Sequence, residues 1–124
     1  MAAAARRWAE TWANAWPRRD ADAIVALYAG EHVYRALPFR APTTAERYLA
    51  ENFAVESEVE CRFGEPVVEG DRAAVEWWGT WVEAGTRLTL AGATVLRFDE
   101  EGLVVDHRDY WNEVERREDP YDGW

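Results

Sequence analysis

The stretch Val55-Glu-Ser-Glu-Val-Glu-Cys-Arg-Phe63 decides the fold class. Apolar or small side chains alternate in it with charged ones, a period of two that predicts a β-strand with one core face and one solvent face. The positions that we expect to face the core are Val55, Ser57, Val59, Cys61 and Phe63. Because the chain before Val55 has the longer period of a helix, its character changes at this point.

Downstream of this strand the period stays at two, and short turns separate the runs. The turns are Glu69–Asp71, Glu83–Gly85 and Asp99–Gly102, and the strands between and after them are 73–82, 87–98 and 103–112. Consecutive strands joined by such turns pair antiparallel. Long antiparallel strands curl, so we expect a strongly curved sheet.

Upstream the apolar period is helical. Trp8, Trp12 and Trp16 recur every four residues, which places them on one face of a helix over 3–16. Two more helices are predicted over 20–29 and 43–53, the first with Asp20 as N-cap and Gly30 after its end. A short extended piece, 32–37, joins them. Helices followed by strands predict an α+β domain with the helices on the concave face of the sheet.

The composition suits one domain, residues 1–124, with a core over about 3–112 and a charged tail over 113–124. The net charge of −10 argues against nucleic acid and anionic membranes as partners. All 14 basic residues are arginine, which excludes lysine chemistry. No apolar run approaches the ~20 residues of a membrane helix, and Cys61 has no partner for a disulfide. We expect a cytoplasmic protein.

Several segments together carry a family resemblance: Trp12–Asp20, Leu27-Tyr28, Tyr34 with Pro38, Gly70–Glu76, and Leu96–Asn112 with its Asp-His-Arg-Asp-Tyr-Trp-Asn end. They resemble the SnoaL-like polyketide cyclases and limonene epoxide hydrolases of the nuclear-transport-factor-2-like superfamily. The resemblance implies a cone-shaped, pocketed α+β fold. It does not fix the chemistry, because cyclases, isomerases, hydrolases and non-enzymes share this scaffold.

The epoxide hydrolases use five polar residues to activate water, and the resemblance carries over only two of them. Asp109 matches the aspartate of the last strand, and Tyr34 matches the tyrosine. The other three positions hold Ala36, Trp77 and Gly79, which argues against epoxide hydrolysis by that mechanism. The cyclases, which use a last-strand aspartate in an apolar cavity, are the better match.

In the last strand, Leu103 and Val105 are apolar, so we expect their face to point into the cone together with His107, Asp109 and Trp111. A carboxylate and an imidazole on one wall can move a proton between two positions of a substrate. We therefore predict Asp109, His107 and Tyr34 as catalytic candidates. The alternative is that Asp109 is only a structural partner of an arginine, of His107 or of an indole N–H.

The tryptophans divide in the same way. Trp77 and Trp81 are expected inside, where they and two further tryptophans would line a substrate pocket; the predicted wall is Trp16, Trp77, Trp81 and Trp111. Trp78 has the opposite parity and is expected on the outer sheet face, in a homodimer interface. His32 is expected at the surface.

Two classes of function remain open. One is an enzyme that performs cofactor-independent acid/base chemistry, such as cyclisation or isomerisation, on a small hydrophobic molecule. The other is a non-catalytic ligand-binding or dimerisation module with the same cavity. Two histidines and one cysteine without ligand spacing predict no metal site, and the scattered glycines predict no phosphate loop, so we expect no cofactor.

Overall fold

The computed structural model describes all residues from Met1 to Trp124. The chain has three helices, α1 (Ala2–Ala15), α2 (Ala21–Val25) and α3 (Ala45–Phe53). The first two precede the first strand, and α3 lies between the first and second strands. Six strands form one sheet: β1 (Tyr28–Arg35), β2 (Ser57–Phe63), β3 (Val67–Glu69), β4 (Arg72–Glu83), β5 (Thr86–Phe98) and β6 (Val104–Val114). The predicted α+β class is confirmed. No helix has the length and apolar character needed to cross a membrane.

The order of the strands in the sheet is β1-β6-β5-β4-β2, and β3 pairs with β4. The strands after Val55 pair with one another antiparallel, as predicted. β1 was not expected as a full strand, and it pairs with β6 in parallel. The sheet is therefore mixed, and its parallel edge places Tyr34 next to His107.

The helix predicted over 20–29 is much shorter. Asp20 caps α2 as expected, since its carboxylate accepts a hydrogen bond from the Ala23 amide. The helix ends at Val25, and Gly30 is a residue of β1, where it does not cap a helix. Leu27 and Tyr28 are buried. Their packing in and before an edge strand produces the same apolar spacing that suggested a helix.

His32 is half-buried and does not lie at the surface as expected. Its Nε2 accepts a hydrogen bond from the Ala45 amide at 2.9 Å, and its Nδ1 lies 2.7 Å from the Ala29 carbonyl oxygen. A nitrogen that accepts carries no proton, so the proton is assigned to Nδ1, which donates to Ala29. His32 thus ties β1 to the first turn of α3.

Two β-bulges change which residues face the core. In β2, Ser57 pairs with Val82 but Glu60 pairs with Thr80, so one extra residue lies between them, and Glu58 has a φ of 51° there. A bulge reverses the alternation. The prediction that Val55 and Ser57 face the core is wrong, and both are exposed.

The second bulge lies at the start of β6. Phe98 pairs with Val104 and Arg97 with Asp106, which leaves Val105 as the extra residue. Val104 is therefore the fully buried residue, while Val105 and Leu103 are only half-buried. The prediction that Leu103 and Val105 share the inner face is wrong, although His107 and Asp109 beyond the bulge do face inward.

The charged tail returns across the outer face of the sheet. Trp78 donates from Nε1 to the Glu118 carbonyl at 2.7 Å, and its ring packs edge-on against Tyr121 and Trp124. Thr89 on β5 donates to the Arg116 carbonyl at 2.7 Å. The tail therefore contacts Trp78, while the homodimer interface through this face stays a prediction.

Candidate functional site

A cavity of about 180 Å³ lies between the concave face of the sheet and the helices. All seven residues predicted for the site line it: Trp16, Tyr34, Trp77, Trp81, His107, Asp109 and Trp111. The sequence did not identify several further polar lining residues, which are Arg40, Tyr48, Asn52, Glu56, Glu83, Thr94 and Glu113. The cavity thus has aromatic walls, and its lining is more acidic than we expected.

A chain of hydrogen bonds runs through the deep end of this cavity. Trp8 Nε1 donates to the Tyr28 hydroxyl at 3.1 Å, and that hydroxyl lies 2.8 Å from His107 Nδ1. His107 Nε2 lies 2.7 Å from Asp109 Oδ1. From the other side, Thr94 donates to the same oxygen at 2.6 Å and accepts from Trp77 Nε1 at 2.9 Å.

The donor and acceptor capacity of each group determines where the protons lie in this series of hydrogen bonds. An indole N–H can only donate, so the Tyr28 oxygen accepts from Trp8 and uses its single proton toward His107 Nδ1. His107 then carries its proton on Nε2 and donates it to Asp109. Burial raises the pKa of Tyr28 well above the usual value for a phenol, so it remains a donor.

Asp109 has one oxygen committed and one free. Both of its hydrogen bonds end on Oδ1, so Oδ2 has no partner in the chain. The Tyr34 hydroxyl also has no partner. Neither oxygen is sealed from solvent. The buried side-chain atoms without a partner are others, namely Trp12 Nε1, Thr43 Oγ1 and Asp106 Oδ1. Because both residues line the cavity, these two oxygens are available to a ligand.

Tyr34 is held by stacking on both of its faces. Its ring lies 3.7 Å from the His107 ring at an interplanar angle of 17°, and 4.6 Å from the Tyr48 ring. Burial, with the nearby Asp109 charge as a smaller cause, raises the pKa of Tyr34 well above its usual value. The hydroxyl is therefore protonated at neutral pH and can donate to a ligand oxygen.

Glu56 is the functional candidate that the sequence analysis missed. Its Oε1 accepts a hydrogen bond from Trp16 Nε1 at 2.8 Å, and it lines the cavity. Burial raises the pKa of Glu56 to about 7. The alternation assigned Glu56 to the solvent face, and only the bulge at Glu58 turns it inward. Positive φ at a glutamate leaves no signal in the sequence.

The position of Trp16 depends on a missing side chain. A Cβ at residue 79 would collide with the six-membered ring of Trp16, so only glycine lets that ring lie against β4. Trp16 lies within 6.0 Å of the Trp77 ring and 5.8 Å of the Trp81 ring, measured between centroids. Gly79 therefore makes room for the tryptophan wall of the cavity.

Two other side chains have no evident chemical role in the cavity. Burial raises the pKa of Cys61 to about 12, and its thiol lies 3.6 Å from the Ala13 carbonyl oxygen. Asp106, on the opposite face of β6 from Asp109, lies 2.8 Å from Arg108 and 3.6 Å from Arg35. No group of three histidine, cysteine or acidic side chains is placed to share a metal ion.

Comparisons with known proteins agree with this architecture. The family described as the SnoaL-like domain matches residues 5–107. No curated protein matches the sequence significantly. Among solved structures, the epoxide hydrolase/cyclase-like enzyme SalBIII, which has a role in pyran ring formation in the polyether salinomycin, is similar with a TM-score of 0.75. It is 18% identical over 90% of this chain and 95% of its own.

Two further solved structures have TM-scores of 0.71. One is an LEH-like epoxide hydrolase of Mycobacterium tuberculosis, 19% identical over 89% of this chain and 84% of its own. The other is a hypothetical protein of Catenulispora acidiphila with a ketosteroid isomerase-like fold, in complex with trimethylamine. It is 22% identical over 82% of both chains. At these identities the likeness concerns the fold.

Proposed function

The chain belongs to the family of SnoaL-like domains, and from that premise we propose that it is a cofactor-independent acid/base enzyme of the cyclase or isomerase kind. Its substrate is a small hydrophobic molecule that binds in the cone cavity. The observation that carries the proposal is the pair of free oxygens in one cavity, Asp109 Oδ2 and the Tyr34 hydroxyl.

These two groups suit a proton transfer next to a carbonyl group, whose oxygen takes up the negative charge as an enolate forms. Tyr34 donates a hydrogen bond to the substrate oxygen, and Asp109 Oδ2 removes a proton from a neighbouring carbon. The same carboxyl group then returns the proton to a second carbon, which completes an isomerisation without net change in atoms. His107 and Thr94 position the carboxyl group through Oδ1, and the Tyr34 ring stacked on His107 fixes the hydroxyl.

The volume of the cavity limits the substrate. A cavity of about 150 Å³ in another protein is large enough for benzene, and the cavity here has about 180 Å³. A molecule with one ring and short substituents therefore fits, whereas a fused polycyclic compound does not fit without an opening of the wall. This supports single-ring terpenoid-like or polyketide-like compounds.

Epoxide hydrolysis of the known kind is not supported. Ala36, Trp77 and Gly79 cannot help to activate water, and Thr94 is committed to the Asp109 and Trp77 side chains. The similarity to epoxide hydrolase-like structures is compatible with the proposal, because one of those proteins is described as cyclase-like. Fold analogy alone does not decide between such activities.

The test compares binding with turnover. Single-ring enones, β,γ-unsaturated ketones and hydroxy-epoxides are screened by quenching of tryptophan fluorescence and then by product analysis. Asp109→Asn should retain binding and lose about 10²- to 10⁴-fold in rate, the usual contribution of acid/base catalysis. Tyr34→Phe should also lower the rate, since it removes the hydrogen bond to the substrate oxygen.

Asp106→Asn is the matched control. It makes the same chemical change on the same strand, but on the opposite face, beside Arg108 and Arg35. Unchanged turnover in Asp109→Asn contradicts the proposal. If the wild-type protein binds ring compounds tightly and converts none of them, the non-catalytic binding module replaces the enzyme.

A further inference from the structure

The charges that line the cavity are strongly unbalanced. Four acidic residues line it, against a single arginine; the acidic residues are Glu56, Glu83, Asp109 and the exposed Glu113, and the arginine is Arg40. None of the four carboxyl groups forms an ion pair with an arginine, although the chain has 14. Asp109 has only His107 as a partner in the ion-pair distance range.

Two of these carboxyl groups are placed side by side. Ser57 pairs with Val82 across β2 and β4, which brings the preceding residue, Glu56, next to Glu83. Like charges opposite each other destabilise a sheet. The exposed Arg19 lowers the pKa of Glu56 by its charge, but it forms no ion pair with either glutamate. The charge of Glu83 also contributes to raising the pKa of Glu56, which places the two groups within electrostatic reach.

Each of the two glutamates is held by a tryptophan of the wall. Glu56 Oε1 accepts from Trp16 Nε1 at 2.8 Å, and Glu83 Oε1 accepts from Trp81 Nε1 at 3.3 Å. The Oε2 atom of each has no partner in the chain. The Trp16 and Trp81 rings lie 5.8 Å apart, so carboxylates and aromatic rings surround the same space. This combination attracts organic cations both by charge and by the ring quadrupole.

The cation of the cavity itself lies elsewhere. The Arg40 guanidinium is 5.2 Å from the centre of the Trp111 ring. The Tyr34 hydroxyl and Asp109 Oδ2, in the same cavity, remain without partners. Beside these proposed catalytic oxygens, the same cavity therefore has an acidic end lined by Glu56, Glu83 and their tryptophans.

We infer that the acidic end, formed by Glu56, Glu83, Trp16 and Trp81, binds a protonated amine of the ligand. The ligand class is therefore a single-ring compound that carries an aliphatic ammonium group. This inference rests on the proposed function for the location of the site and narrows the substrates that the site accepts.

The test uses three ligands with the same ring: cyclohexylmethylammonium, cyclohexylmethanol and cyclohexanecarboxylate. Their dissociation constants are measured at pH 8, where Glu56 is ionised, by tryptophan fluorescence and calorimetry. The ammonium compound should bind at least about tenfold more tightly than the alcohol, and the carboxylate more weakly than both. Glu56→Gln and Glu83→Gln keep the shape and the indole hydrogen bond, and each should lower the affinity for the ammonium compound alone.

Glu100→Gln is the control, because it removes one negative charge from an exposed turn between β5 and β6. Equal affinities for the ammonium compound and the alcohol contradict the inference and leave the proposed function intact. A preference for the ammonium compound that survives Glu56→Gln and Glu83→Gln, or falls equally in Glu100→Gln, also contradicts it. If none of the three ligands binds, the ligand cavity of the proposed function fails with it, whereas loss of catalysis in Asp109→Asn remains a separate result.

Discussion

Thr94 joins the wall of the cavity to its acid/base group, and its removal should be costly. Its hydroxyl donates to Asp109 Oδ1 at 2.6 Å and accepts from Trp77 Nε1 at 2.9 Å. Only 1% of Thr94 is exposed, so water cannot replace either partner. Thr94→Val keeps the shape and the β-branched character that suits a strand, and it deletes only the hydroxyl.

The magnitude follows from the two lost bonds. A buried indole N–H left without an acceptor costs about 1–3 kcal/mol, and a hydrogen bond to a charged group contributes about 1.5–3 kcal/mol. Asp109 keeps its hydrogen bond to His107, so the carboxyl group loses only part of its stabilisation. We expect Thr94→Val to lower the free energy of unfolding by about 2–4 kcal/mol. This corresponds to a decrease of about 1–2 M in the urea concentration at the unfolding midpoint.

Urea unfolding followed by circular dichroism measures this change. Thr86→Val is the matched control, since it makes the same substitution on the same strand at an exposed position and should change stability by less than about 0.5 kcal/mol. The double variant Trp77→Phe/Thr94→Val removes the residue-77 indole donor together with its acceptor, so its loss should be smaller than the sum of the two single losses. A Thr94→Val protein as stable as the wild type refutes the reasoning.

Three further predictions concern other parts of the molecule. Gly79→Ala should displace the Trp16 ring and cost about 1–3 kcal/mol by overpacking, whereas Gly30→Ala, with open space around it, should not; equal stability of the two variants contradicts this. The raised pKa of Glu56, about 7, means that the folded state holds a proton that the unfolded state has lost between pH 4.5 and 7, so stability should fall as pH rises through that window. Glu56→Gln should remove that part of the decline. If the free energy of unfolding changes by the same amount between pH 5 and 8 in the wild type and in Glu56→Gln, the assignment to Glu56 is wrong. For assembly, we predict a homodimer through the outer sheet face that Trp78→Glu shifts toward monomer in size-exclusion chromatography with light scattering, and a monomeric wild type at micromolar concentration contradicts it.

The sequence by itself determined the main elements of this protein. The change of apolar period at Val55 was sufficient for the α+β class, because side-chain alternation along a strand and along a helix follows from backbone geometry alone. The same local rule identified the inner face of β4, where Val75, Trp77 and Trp81 are buried. It also identified Asp109 and His107 as neighbours on one wall.

The alternation failed where the chain inserts one extra residue. The bulges in β2 and β6 reverse the faces before Val59 and before Asp106, so Val55, Ser57, Leu103 and Val105 were assigned to the wrong side. A bulge is decided by the pairing of a strand with its neighbour, and such pairing joins residues far apart in sequence. For this reason Glu56 was placed in solvent, although it lies in the cavity.

Tertiary packing also decided what the local signals could not distinguish. The spacing of Ile24, Leu27 and Tyr28 fits a helix, but the chain leaves the helix after Val25 and forms an edge strand beside β6. That parallel pairing stacks Tyr34 on His107, and the pairing of β2 with β4 brings Glu56 to Glu83. The sequence determined which chemical groups the cavity could contain, and long-range strand pairing decided which of them meet, because its free energy depends on contacts that no local pattern records.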